Sequence, residues 1–512
     1  MDGAITRSEE MLVTLERADN TPIYRQIEGQ IRALILAGRL PPGFRLPSER
    51  SLSQQLGVNR TTVVNAYREL AADGLVEGHV GQGTTVMGPT QMGEVADAFA
   101  LPLAWSGLVR SRSLESPLAR RVAGIAARLG VISLAAGVPH TLSSPHLRLP
   151  EAVQRALASE SLDMLQDSPT EGLPALRAEL ASRLSARGCG KTSPRQVLIL
   201  SGSQQGLYLV AKLLLEPGDR VLVESPTYLG ALEVFRAAGA RLVAVPVDEQ
   251  GMQVAAVERI LAHTGVRLIY TIPNFQNPTG STMSGERRAK LLALAQRYQV
   301  PILEDDLYGE LSFAAAPPAP IRSLDQNGYV LYLGSLSSVL GSGLRLGWLL
   351  VPAAIVEPLL SLRQSMDLHP NNFVQAVVRE LLADGSLDAH LEWARQTYAR
   401  RRDAMLTSLQ HHVRSSMQWN SPEGGFYVWC SLAEPLNGRE LLDEAAAQGV
   451  VFVPGELFFP NGDGEGFIRL TFAYPNEEDI EEGVHRLARA IRNLRGHELE
   501  KPGPREAMRP VV

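Results

Sequence analysis

The 512-residue chain carries a formal net charge of −6, with 45% hydrophobic and 20% charged residues, ordinary globular usage at a length too great for one ordinary domain. An acidic whole excludes a polybasic nucleic-acid binder, so any DNA contact has to come from a local patch. Two distant cysteines, Cys189 and Cys430, fit a reducing compartment and offer no metal-ligand or redox spacing.

The chain opens on a polar stretch, MDGAITRSEEMLVTLERADN, with no apolar signal core. No apolar run reaches the roughly 18 residues that a membrane span needs. A cytoplasmic protein with no membrane contact is expected. IYRQIEGQIRALILAG then sets Ile23, Ile27, Ile31, Leu34 and Ile35 close to helical spacing, and Gly38, Pro41 and Pro42 end the helix. Ser48 can cap a second helix, with Glu49 in its first turn and Leu52 and Leu56 on one face; Gly57 breaks it. A third helix is predicted from about Arg60 to Asp73, with Val63, Tyr67 and Leu70 inward. LVEGHVGQGTTV alternates around glycines, the pattern of a small hairpin or wing.

This unit is locally basic. Residues 39–68 hold Arg39, Arg45, Arg50, Arg60 and Arg68 against the single acid Glu49, a balance of +4 in an acidic chain. Phosphate contacts need such charge, and helix N-termini add to it; Arg45, Ser48 and Arg50 stand where they can make them. The turn LGVNRTT puts Arg60, Thr61 and Thr62 at the start of the third helix. In a helix-turn-helix that end reaches base edges, where arginine bonds guanine and threonine bonds a base or touches a thymine methyl. Gly81, Gln82 and Gly83 would let a wing tip approach the DNA backbone or minor groove. Charge and periodicity alone leave a packing module with solvated arginines equally open. The combination of RLPSER, LGVNRTTV, AYREL and GxG between Thr21 and Val86, however, resembles the GntR-type winged helix. The resemblance implies double-stranded DNA as partner.

Four segments are expected: a DNA-binding domain over 18–87, a linker over 88–115 where periodicity fades, a large domain over 116–498, and a disordered tail over 499–512. In the large domain the apolar strands QVLIL, DRVLVE, VRLIYT, VPILED and YVLYLG alternate with amphipathic helices. That alternation predicts a mainly parallel, helix-covered sheet.

Polar strings stand at the ends of these strands. SGSQQGL opens a helix, so backbone amides with Ser203 and Gln204 can cradle a phosphate. ESPTY carries Tyr228, able to stack on a flat ring, and PNFQNPTG carries Asn277, able to donate to a phenolic oxygen. EDDLYGEL carries Asp305, which when buried needs a partner such as a protonated pyridine, and Tyr308 three residues on. LRLGW carries Arg345, suited to a phosphate, and FIRLTF carries Arg469, suited to a carboxylate. Each string alone reads equally as core, turn or surface. Together and in this order they resemble the fold-type I aminotransferases, chiefly the alpha-aminoadipate and kynurenine branch, from about residue 116 to 495. With the N-terminal unit, the whole chain resembles the MocR subfamily of GntR regulators.

The resemblance implies a multi-domain fold: a mainly α winged helix-turn-helix plus an α/β fold-type I aminotransferase-like domain with large and small subdomains. It implies pyridoxal 5′-phosphate as cofactor, its phosphate held by Ser203, Gln204, Ser335, Ser337 and Arg345. Tyr228 would stack on the ring, Asn277 and Tyr308 bond the ring oxygen, and Asp305 pair with the ring nitrogen. Arg469 would bind an amino-acid-like effector through its carboxylate. A head-to-tail homodimer is the implied assembly, and no metal is implied.

One position departs from the family. The phosphate strand there reads G-S-x-S-K, and its lysine attaches covalently to the cofactor; here GSLSSVLGSGLRLG puts Ser338 at that position. Serine can form no such bond, nor act as an amine base. The four lysines, Lys191, Lys212, Lys290 and Lys501, fall in a loop, two helices and the tail. Three readings stay open: a pocket that binds the cofactor non-covalently or as a preformed amino-acid adduct, a cofactor-free dimerisation scaffold, and an aminotransferase with another base. Ser338 argues against the enzyme, and the +4 segment argues for a sequence-specific DNA-binding regulator.

Overall fold

Two units divide the chain, Met1–Arg112 and Ser113–Val512. The computed structural model describes residues 13–15, 21–36, 39–79, 83–87, 116–139, 144–160, 163–314 and 317–499. The expected linker at 88–115, the tail from 500 onward, and the wing residues Gly81 and Gln82 lie outside the described residues.

The first unit contains helices α1 (Ile23–Leu36), α2 (Glu49–Leu56) and α3 (Arg60–Ala72), then an antiparallel hairpin of β1 (Val76–His79) and β2 (Gly83–Val86). The helix starts follow from side-chain capping. Ser48 Oγ accepts from the Ser51 amide at 3.1 Å, and Asn59 Oδ1 accepts from the Thr61 amide at 3.0 Å. Gly57 ends α2 in the left-handed region at φ 62°. Ile27, Ile31, Leu52, Val63 and Leu70 are buried at the centre, whereas Ile23, the first residue of α1, is 36% exposed. The Tyr67 hydroxyl donates to the Pro47 carbonyl at 2.8 Å, which ties the RLPSER segment to α3.

The second unit is built on a mixed eight-stranded sheet. Outside it β3 (Ile132–Ser133) lies early in the chain. The sheet strands are β4 (Val197–Leu200), β5 (Arg220–Ser225), β6 (Arg241–Asp248), β7 (Gly251–Met252), β8 (Leu268–Thr271), β9 (Ile302–Asp305), β10 (Val330–Ser335) and β11 (Gly347–Leu350). Their order is β4-β11-β10-β9-β8-β5-β6-β7. The pairs β10–β9, β9–β8, β8–β5 and β5–β6 are parallel, as the alternating pattern predicts. The antiparallel returns are β11, against both neighbours, and β7. Strands β8, β9, β10 and β11 inside the sheet, and the edge strand β4, are buried along their whole length, as a sheet covered on both faces requires.

A smaller antiparallel sheet follows, of β12 (Met417–Trp419), β13 (Tyr427–Leu432), β15 (Val453–Pro454) and β16 (Phe467–Thr471), while β14 (Val450–Val451) pairs in parallel with β3. The fold thus brings the C-terminal ends of β4, β5, β8, β9 and β10 to one edge, where open α/β sheets take their ligands.

Truncating the core of the first unit should be felt locally. Ile31→Ala is expected to cost about 2–5 kcal/mol. Hydrogen exchange is expected to rise at the amides of α1–α3 and to stay unchanged in β8–β10.

Candidate functional site

In the first unit the candidate DNA contacts form an exposed face. Arg45, Ser48, Arg50, Arg60, Thr61 and Gly83 are exposed and Thr62 is half-buried. Arg60 is paired: its Nη2 and Nε donate to Glu49 Oε2 at 2.9 and 3.2 Å. The single acid of the basic stretch therefore holds the guanidinium at the start of α3. An exposed pair of this kind is worth about 0–1 kcal/mol, less than the roughly 1–3 kcal/mol of a bidentate guanine contact, so a base edge can displace it. Arg45 packs under the hairpin. A Cβ added at Gly83, whose φ is 90°, would lie 2.9 Å from Arg45 Nε.

In the second unit the strand ends enclose a cavity of about 470 Å³, a size ordinary for small-ligand sites. Ser203, Tyr228, Asn277, Asp305, Tyr308, Ser335, Ser337, Ser338, Arg345 and Arg469 all line it. Nine were singled out as cofactor or effector residues, and the tenth is the departure. Gln204 does not line it. Its side chain donates to the Gly230 carbonyl at 3.0 Å and accepts from the Tyr228 hydroxyl at 3.2 Å, so it orients the tyrosine.

One end of the cavity suits an anion. The helix Ser203–Leu214 begins there, its N-cap Gly202 making no side-chain cap bond. Arg345 lies across Gly202, where any Cβ would stand 2.5 Å from its Nη2; the φ of 95° also favours glycine. Ser335 Oγ accepts from the Ser337 amide at 3.0 Å, and the buried Ser337 Oγ has no hydrogen-bond partner among the described residues.

Another part of the lining suits a cation. Asp305 is buried, and its Oδ2 accepts from the Tyr270 hydroxyl at 2.8 Å while Oδ1 is unpartnered among the described residues. Burial pushes its carboxyl up to about 7, against the lowering effect of the Tyr270 bond. Elsewhere in the lining, Arg469 donates to Asn277 Oδ1 at 3.0 Å and to the Ala135 carbonyl at 2.9 Å, and its Nε is unpartnered among the described residues. Its guanidinium carbon lies 4.1 Å from the Tyr427 ring centroid and 4.9 Å from that of Phe458. The bond to Oδ1 leaves the Asn277 amide nitrogen as its donor end. The Tyr308 and Tyr427 hydroxyls are 3.1 Å apart.

At the departure, Ser338 Oγ donates to the Leu307 carbonyl at 2.7 Å, and the side chain is buried. No lysine among the described residues lines the cavity. Lys212 lies over the Tyr208 ring, and Lys290 pairs with Glu258 at 3.5 Å.

Sequence reasoning missed Tyr270, Tyr427, Phe458, the Leu307 carbonyl, and an apolar wall of Ala119, Val122, Ala123 and Ala126 from the helix Pro117–Ala126. Tyr270 could have been found only through the β8–β9 register, in which it pairs with Leu303, two residues before Asp305.

The buried acid gives a pH test. A folded-state value of about 7 lies above the ordinary 3.8, so the stability Asp305 contributes is greatest below about pH 4 and is lost as pH rises to 7. Asp305→Asn keeps an acceptor for Tyr270 and removes the charge. In cofactor-free protein this variant should be more stable than wild type at pH 8, by on the order of a few kcal/mol and with a higher unfolding temperature, and the gap should narrow toward pH 5. Glu304, also pushed up to about 7 by burial, titrates in both proteins and cancels in the comparison, which scanning calorimetry would make; Glu224, raised to about 7 by burial and further by the Asp305 charge, falls back in the variant and adds to its gain at pH 8.

The sequence matches the aminotransferase class I and II family over residues 130–487 and the gntR family of bacterial regulatory proteins over residues 23–86. YisV of Bacillus subtilis, named an uncharacterized HTH-type transcriptional regulator, is 34% identical over 93% of this chain and 98% of its own. MocR of Rhizobium meliloti, named a probable rhizopine catabolism regulatory protein, is 29% identical over 94% of this chain and 96% of its own. Among solved structures, the alpha-aminoadipate aminotransferase LysN of Thermus thermophilus, complexed with N-(5′-phosphopyridoxyl)-L-leucine, is 36% identical and covers 77% of this chain and 100% of its own with a TM-score of 0.72. With a winged helix whose caps and core are in place and a strand-end pocket of aminotransferase type, the chain belongs to the GntR family in its MocR-type form, a DNA-binding transcription regulator with an aminotransferase-like domain.

Proposed function

We propose that this regulator senses a pyridoxal 5′-phosphate-type cofactor, together with or joined to an amino-acid-like effector, in the strand-end cavity, and holds it without a covalent bond to the protein. One observation carries the reading. Three buried polar atoms without hydrogen-bond partners among the described residues, Asp305 Oδ1, Ser337 Oγ and Arg469 Nε, belong to residues lining one cavity. Buried polar groups are usually paired; other unpartnered ones among the described residues, such as Thr227 Oγ1 and Trp348 Nε1, lie outside this lining, and each of the three suits a different part of such a ligand.

Ser203, Ser335, Ser337 and Arg345 hold the phosphate, and Tyr228, set by Gln204, stacks on the ring. Asn277 and Tyr308 bond the ring oxygen. Asp305 keeps its charge when it pairs with a protonated ring nitrogen, and Arg469 takes the effector carboxylate in a charge-assisted bond. The cofactor, when bound, supplies an electron-poor ring with a reactive C4 substituent. Ser338 supplies no amine to it, so the residues present bind and orient rather than carry protons through a catalytic cycle. The DNA-binding domain is taken as 18–87, the linker as 88–115, the large domain as 116–498 and the tail as 499–512. A head-to-tail homodimer is the proposed assembly. The exposed Met366, Leu368 and Phe373 supply apolar surface for it.

Isothermal titration of the dialysed protein with the cofactor tests the pocket. Binding should be reversible, and Arg345→Ala should weaken it by about tenfold or more through loss of charge-assisted bonds. The absence of heat or spectral change at millimolar cofactor sinks the reading in favour of a bare scaffold, and turnover of an amino acid would favour the enzyme. Ser338→Lys should gain an absorption band above roughly 400 nm and, after borohydride, a label on residue 338, because it restores the nucleophile. On the DNA side, Arg60→Ala should weaken specific binding by about 1–3 kcal/mol in a gel-shift titration at fixed salt. Wild-type affinity would remove Arg60 from the interface.

A further inference from the structure

Ser338 has one hydroxyl proton, and the Leu307 carbonyl takes it at 2.7 Å. What Ser338 turns to the cavity is therefore an oxygen with free lone pairs. Leu307 lines the same cavity beside it. Each of the two residues has a polar neighbour in the chain that lines the same cavity. Ser338 follows Ser337, whose hydroxyl is unpartnered at the anion-binding end. Leu307 precedes Tyr308, whose hydroxyl meets that of Tyr427.

On a 3-hydroxypyridine bearing a 5-phosphomethyl group, the C4 substituent stands opposite the ring nitrogen, between the phosphate-bearing and hydroxyl-bearing carbons. A ring whose nitrogen pairs with Asp305, whose phosphate goes to Ser337 and Arg345, and whose oxygen goes to Asn277 and Tyr308 therefore directs its C4 substituent to Ser338 and Leu307. An aldehyde there presents an acceptor oxygen to acceptors, and a buried acceptor without a donor is costly. An amine presents N–H donors, charged at neutral pH, and charge-assisted bonds are the stronger kind.

We infer that the Ser338–Leu307 oxygen pair makes the pocket selective for an aminated cofactor, one with nitrogen on the C4 methylene, over the aldehyde form. This rests on the cofactor reading proposed above. The nitrogen that the chain lacks at position 338 is brought by the ligand. Two sources share that chemistry: free pyridoxamine 5′-phosphate, and a secondary amine joining the phosphopyridoxyl group to an amino acid, whose carboxylate would reach Arg469.

Titration calorimetry of the full-length protein with three probes decides it: pyridoxal 5′-phosphate, pyridoxamine 5′-phosphate and N-(5′-phosphopyridoxyl)-L-leucine. The two amines should bind at least about tenfold tighter than the aldehyde. The tighter of the two identifies the source. Ser338→Ala leaves only the Leu307 carbonyl, so the amine-to-aldehyde ratio should fall toward one. Ser338→Lys should invert it, since its ammonium repels the ligand's and its free amine captures the aldehyde. An aldehyde that binds wild type as tightly as the amines overturns the inference and leaves the cofactor reading standing. A ratio unchanged in Ser338→Ala overturns the role of Ser338. Failure of all three probes at millimolar concentration overturns the cofactor reading itself.

Discussion

The chemistry of the large domain depends on one constraint: a carboxyl buried at the end of a central strand. The segment Glu304-Asp305-Asp306 puts three acids in a row where water is excluded. Each must find partners or lose its charge. Glu304 accepts from the Ile321 and Arg322 amides, both at 2.8 Å, and so caps the short helix Ile321–Leu324. Asp306 accepts from Tyr332 at 2.6 Å and Asn274 at 2.8 Å, with Arg187 at 3.4 Å. Asp305 has Tyr270 alone, on one oxygen. Two of the acids are thus structural, and the one between them faces a cavity and lacks a cation.

The topology explains why the other polar groups gather around that acid. Parallel strands end on one side, so the loops after β4, β5, β8, β9 and β10 converge there. Arg345 belongs to the return into β11, which runs antiparallel between β4 and β10 and so starts at that same edge. Arg469 comes from β16 in the smaller sheet, and its bond to Asn277 ties that sheet to the loop after β8. The cation, anion and carboxylate positions are therefore fixed by three separate parts of the chain.

Much of this was legible in the sequence because each strand carries its polar string at its own end. SGSQQ, ESPTY, PNFQNP, EDDLY and GSLSS could be assigned locally, and their residues line one cavity apart from Gln204. The N-terminal helices were legible for a similar reason, since Ser48 and Gly57 are punctuation that acts within a few residues; the Asn59 cap of α3 was not singled out. What escaped depends on pairing across the chain. Tyr270 reads as an ordinary strand residue until register sets it beside Asp305. Gln204 reads as a phosphate ligand until its amide is found holding Tyr228 and Gly230. The partner of Ser338 is a backbone carbonyl, which no side-chain pattern announces.

That last bond separates position 338 from the rest of the pocket. Asp305, Ser337 and Arg469 each keep a buried polar atom unpartnered, at a cost the folded chain bears by itself. Ser338 bears no such cost, because its proton is placed within the chain. The site is therefore closed at the one point where a covalent bond would form and open wherever a reversible contact would. The distinction matters for a regulator. A covalently trapped ligand reports that it was once present. A ligand held by hydrogen bonds and ion pairs stabilises the bound form by RT ln(1 + [L]/Kd), so the protein's state follows the free concentration. On the proposed reading, exchanging an amine for a hydroxyl turns a site that would retain its cofactor into one that measures it.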